Sequence, residues 1–152
     1  MTRKTKHALG AALVATLAAA TASMAGSNSD AIKDRQQAMK DVGGAMQTLG
    51  AIAKKEAPFE AGVVEHNAGV IADALKKAAA LFPEGSDEGD VETWSMPEIW
   101  SDRADFDQKF EAAEVEAGAL QSVSVESAFL PALGKLGNAC KACHQTYRRP
   151  KE

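Results

Sequence analysis

Cys140, Cys143 and His144 stand together as Cys140-Lys141-Ala142-Cys143-His144, two thiols three positions apart with an imidazole beside the second. On a helix, residues three and four apart share a face, so all three look out from one seam. Two thiols at that spacing can each add across a vinyl group of one porphyrin, and the adjacent imidazole then stands beneath its iron. This is the pattern of c-type haem attachment. Other chemistries use the same residue types less well. A disulfide between positions i and i+3 would leave a histidine on an apolar seam without a task. A redox dithiol wants a helix N-terminus beside a strand, whereas this pair lies near the C-terminal end of a helix. A zinc site needs four ligands as a rule, and the chain has no other cysteine and no suitably placed histidine.

The elements that must position these groups are helical. Apolar residues recur three and four apart from residue 30 onward, and alternating strand-like runs are missing. Four helices are predicted, over about 30–56, 59–82, 102–123 and 125–149, with Asn28 and Ser29 as capping candidates for the first. The first carries the seam Ile32, Arg35, Met39, Val42, Met46, Leu49 and Ala53. Pro58 separates the first pair, and Pro150 ends the last helix. Between residues 83 and 101 the period fails, and prolines, glycines and acids form a long crossing loop. Trp94, Met96, Ile99 and Trp100 within it must fold back onto the protein. The fold class expected is all-α, an antiparallel up-down-up-down four-helix bundle with one covalently attached haem.

Bundle geometry then names the residues around that haem. Only eight residues follow His144 and none is methionine, so any sixth iron ligand comes from upstream. In such a bundle the end of the last helix lies beside the start of the first. At 1.5 Å per residue, His144 is about 7 Å from one end and Met39 about 13 Å from the other, levels close enough to hold a haem between them. Met39 either bonds the iron through its thioether or packs over it without bonding. Arg35, one turn before it, is a charge on an apolar seam that could meet a haem propionate, with Gln36 a weaker candidate. Phe82 and Trp100 belong to the same end and wall the haem. Arg148, one turn after His144, lies near the proximal imidazole. Met46 reads as core and His66 as a surface histidine at the opposite end. Gly43 and Gly44 inside the first helix cost about 1 kcal/mol each against alanine, which a close approach of haem or a partner helix would repay.

The 152 residues suit one domain. Residues 1–25 read as a cleaved secretory signal peptide: Arg3, Lys4 and Lys6 precede an apolar run, with small-residue cleavage positions after Ala22 or Ala25. The domain is then 26–152, exported to the periplasm, with no membrane insertion after cleavage. Losing three cations and no acid takes the formal net charge from −4 to −7. That argues against nucleic acid and anionic lipid, and favours redox partner proteins with a basic surface.

The chain resembles the class II c-type cytochromes, the cytochrome c′ family. The resemblance is carried by the C-terminal Cys-Lys-Ala-Cys-His with Tyr147 and Arg148 after it, by Arg35-Gln36-x-x-Met39, and by Pro97-Glu98-Ile99-Trp100. It implies haem c, one per chain through Cys140 and Cys143, a bundle that is often a homodimer through its first two helices, and a periplasmic location. It also implies two kinds of member. Some are five-coordinate and bind nitric oxide or carbon monoxide on the distal face; others are low-spin, with a methionine of the first helix on the iron. The Met39-Lys40 pair followed by Val42-Gly43-Gly44 looks like the second branch. The first expectation is therefore a single-electron carrier with His144 and Met39 as axial ligands, and the alternative is a five-coordinate gas binder. An enzyme is not expected: no distal histidine is evident to act as acid and base for peroxidase chemistry.

Overall fold

The computed structural model describes residues 18–150, with side chains from residue 28 onward. Most of the leader therefore lies outside the described residues. Five helices follow in order: α1 Ala18–Ala53, α2 Ala61–Ala79, the single turn α3 Glu98–Ser101, α4 Arg103–Gln121 and α5 Glu126–Tyr147. Among the described residues the only extended pairing is an isolated bridge between Ser95 and Arg148.

The four long helices pack as an antiparallel bundle, α1 on α2, α2 on α4 and α4 on α5, while α1 and α5 scarcely touch. The core is built from one stripe of each. On α1 the buried positions are Ile32, Arg35, Ala38, Ala45, Leu49 and Ile52, a face turned by about one residue from the expected seam. Small alanines let α2 approach there. Met39, Val42 and Met46 are left half-buried on the side that looks toward α5. Val64, Ile71, Leu120, Leu136 and Phe129 fill the end remote from the cysteines. Phe82, Phe106, Phe110 and Tyr147 fill the other, with ring centroids 4.8 Å apart for Phe82–Phe106 and 5.3 Å for Phe106–Tyr147. Burying one such ring contributes about 1.5–3 kcal/mol.

Two boundaries differ from expectation for physical reasons. The alanine-rich run before residue 28 has high helix propensity and no breaker strong enough to stop it, so α1 continues through Asn28 and Ser29. Neither caps the helix. The Asn28 amide instead donates to the Gly85 carbonyl at 3.0 Å, and the Ser29 hydroxyl accepts from the Asp90 amide at 3.2 Å. At the other end α1 stops at Lys55, which adopts φ 61° while the Glu56 amide reaches back to the Ala51 carbonyl at 2.9 Å. That left-handed turn makes the α1–α2 hairpin short.

Candidate functional site

The seam of α5 turns Cys140, Cys143 and His144 into one cavity of about 730 Å³, within the span of small-molecule and cofactor sites. The cavity occupies the side where α1 and α5 stand apart. Arg35, Gln36, Met39, Lys40 and Val42 of α1 form the facing wall; Leu75, Phe82, Phe106, Phe110 and Ala113 form its floor. The thiols and the methionine separated by a hundred residues thus meet in one space. Met46 is absent from this lining and packs against the core, and His66 is exposed on α2. Trp100 is the exception among the expected wall residues. The turn of α3 points Ile99 inward and leaves Trp100 behind Phe82, with its indole N–H donating to the Pro83 carbonyl at 2.8 Å. Ile99 lines the cavity in its place.

Electrostatics suit a ligating imidazole. Burial, then the neighbouring Arg148, lowers the His144 pKa, which keeps the ring neutral with a lone pair available. Both cysteines are free thiols. Burial raises both of their pKa values, Cys143 to about 11, so before attachment both are protonated thiols. Among the described residues no cluster of His, Cys, Asp or Glu is set to hold a metal ion.

The crossing loop is the part the sequence could not draw. Residues 83–97 run as a strap over the gap, gripping α1 on one side and the end of α5 on the other. Arg35 holds the first grip. Its Nη1 donates to the Leu81 carbonyl and Ser86 Oγ at 3.2 and 2.9 Å, and its Nη2 to the Ser86 carbonyl and Thr93 Oγ1 at 2.6 and 2.9 Å. With the guanidinium 4.8 Å above the Phe82 ring, it is 3% exposed, and burial lowers its pKa to about 10. All four terminal N–H donors expected to face a propionate are thus spent, three on the strap and one on the Leu81 carbonyl just before it. The Gln36 amide is committed likewise, to the Glu92 carbonyl at 2.7 Å.

The second grip is on α5. The Met96 amide donates to the Tyr147 carbonyl at 3.0 Å and the Arg149 amide to the Trp94 carbonyl at 2.8 Å. Arg148 lies over the Trp94 ring, 4.8 Å from its centroid, and the Arg149 guanidinium donates to the Thr93 carbonyl. Tyr147, one turn past His144, donates to Asp105 of α4 at 2.5 Å, and Lys109 pairs with the other oxygen of that carboxylate at 3.0 Å. Hydrogen bonds from Tyr147 and Lys109 hold the Asp105 pKa below its usual value. Burial and Asp105 push that of Tyr147 up.

A family model described as Cytochrome C' matches residues 30–148. The chain belongs to the cytochrome c′ family. It is 41% identical over 105 residues to cytochrome c′ of Rhodopseudomonas palustris, covering 68% of this chain and 70% of that protein. A solved structure of a cytochrome c′ from R. palustris superposes with a TM-score of 0.76 and 35% identity, over 81% of this chain and 98% of that one. A nitric oxide complex of a cytochrome c′ mutant from Alcaligenes xylosoxidans superposes with a TM-score of 0.73 and 31% identity, over 82% and 97%. The cytochrome c′ family carries covalent haem c. The residues present fit it: two free thiols at attachment spacing, an apolar cavity of suitable size and one imidazole on the same seam.

Proposed function

We propose that this cytochrome takes up a neutral diatomic gas, nitric oxide or carbon monoxide, at the haem face turned toward α1, with His144 holding the iron from α5. The observation that carries this reading is the composition of the facing wall. Met39 and Val42 of that wall, with Leu75 and Phe82 of the floor, give it an apolar patch beside Arg35, Gln36 and Lys40, and no histidine or cysteine comes from α1. Apolar side chains there exclude water and leave room for an uncharged ligand. The nitric oxide complex of the A. xylosoxidans relative supports the same reading. Haem, when bound, supplies an iron that can accept a diatomic or pass a single electron. The protein's own residues orient it: Cys140 and Cys143 fix one edge, His144 one face, and Arg35 lends a buried positive charge whose hydrogen-bond partners are all neutral.

Electron carriage with Met39 on the iron is the second reading. It rests on Met39 lining the same cavity as His144. The absorption spectrum of the reduced protein separates the two. A high-spin spectrum that shifts at once with carbon monoxide supports gas binding; a low-spin spectrum that resists the gas until Met39→Ala supports ligation and overturns the first reading.

We place the protein in the periplasm, delivered by the 1–25 leader. A homodimer through α1 and α2 belongs to the same proposal. A Cβ added at Gly43, Gly44 or Gly50 would meet nothing within 4 Å among the described residues, which leaves room there for a second copy.

A further inference from the structure

Four cationic side chains line the cavity: Arg35, Lys40, Lys109 and Arg148. Haem brings two carboxylates on the edge opposite its vinyl groups, and a partly buried carboxylate needs a donor or a cation to be stable. Three of the four cations have other work. Arg35 has spent its four terminal donors on Leu81, Ser86 and Thr93. Lys109 is paired with Asp105 at 3.0 Å and acts electrostatically on Cys143, which places it on the thiol side of the cavity. Arg148 is stacked on Trp94, next to His144 on α5. Lys40 alone among them makes no hydrogen bond, ion pair or ring contact with any described residue. It rises from α1, the helix across the cavity from the cysteines, one turn beyond Gln36 on the same stripe.

We propose that Lys40 is the residue that receives a haem carboxylate, and that Arg35 and Gln36 are positioning residues that hold the strap beside it. The proposal rests on covalent haem at Cys140 and Cys143 and holds for either functional reading. Lys40 lines the same cavity as the thiols and is exposed, so its uncommitted ammonium stands where a haem carboxylate can be met without being stripped of water. The charge sense is also favourable: an exposed lysine keeps its head mobile enough to find the carboxylate.

The test uses haem-bearing protein in four forms: wild type, Lys40→Gln, Lys40→Arg, and Lys76→Gln as a charge control on the exposed face of α2. Resonance Raman spectra of the reduced proteins report the propionate-bending band, which moves when a carboxylate loses its hydrogen-bond donor. The expected result is a shifted band in Lys40→Gln, restored in Lys40→Arg and unmoved in Lys76→Gln. The midpoint potential should fall in Lys40→Gln, because removing a cation near the iron favours the oxidised state, and this drop should shrink at high salt. A band at the wild-type position in Lys40→Gln overturns the proposal, and so does a band that moves equally in Lys76→Gln. A wild-type chain that carries no covalent haem by mass overturns the haem assignment as well, which distinguishes the two failures.

Discussion

Arg35 shows how a residue can be placed correctly and still do a different job. Its seam position marked it as a charge needing a partner, and it is buried at the cavity wall as that reading required. Its partners, however, are three oxygens of the crossing loop and the Leu81 carbonyl before it, and nothing in a local pattern encodes them. Cys140, Cys143 and His144 were legible because their chemistry is contained in five consecutive positions. Met39 was legible because helix rise and bundle topology fix its level. Ile99 and Trp100 were not separable by the same reasoning, since which of two neighbours faces inward depends on the single turn of α3. Replacing Arg35 by Met should cost roughly 3 kcal/mol, because it strips donors from buried oxygens of Ser86 and Thr93. The expected outcome is a clear drop in melting temperature with a bound, spectrally recognisable haem, whereas an unchanged melting temperature would contradict the clamp.

At the scale of elements, the four long helices followed from periodicity, and the pairing of α1 with α2 and of α4 with α5 from short connections. What periodicity could not supply was the start of α1, where helix propensity outran the capping residues, or the path of residues 83–97, whose contacts are side chain to backbone across the bundle. Lys55 is a local misfit: a non-glycine residue in left-handed geometry costs about 1 kcal/mol. Lys55→Gly should therefore raise stability by about that amount, read as a higher denaturation midpoint with unchanged spectra. The α4–α5 tie at Asp105 and Tyr147 carries a pH signature. Tyr147 has a folded pKa above its unfolded value of about 10, so its contribution is complete below pH 10 and is lost as pH rises beyond it. Asp105 has a folded pKa below its unfolded value of about 4, so its contribution is present above that pH and lost as pH falls through it. Tyr147→Phe should flatten the alkaline limb of a stability-against-pH profile and cost about 1 kcal/mol at neutral pH, at the low end for a bond to a charged group because Asp105 is partly in water.

For the whole molecule, an acidic chain wraps a cavity whose lining includes four cations and Glu92 as its acid. Arg35 is buried and Lys109 is paired with Asp105, so Lys40 and Arg148 are the exposed cations of that lining, beside a loop that carries Glu84, Asp87, Glu88 and Asp90. Export with cleavage after Ala25 predicts a protein beginning at Gly26 and heavier than its polypeptide by one haem. Intact-mass measurement of the secreted form checks both, and a retained leader would contradict the periplasmic assignment.

The sparse packing between α1 and α5 has a mechanical consequence. Two walls of the pocket are held at their spacing by a fifteen-residue tether, 83–97, and not by interdigitated side chains. On the polypeptide side the link is a handful of polar attachments, while the α2–α4 spine is packed. The molecule is built like a hinged case with its spine at α2 and α4 and its clasp at residues 83–97. The clasp engages the end of α5 at Tyr147 and the chain just past it at Arg149, so the element that carries the proximal histidine is tied down one turn beyond it.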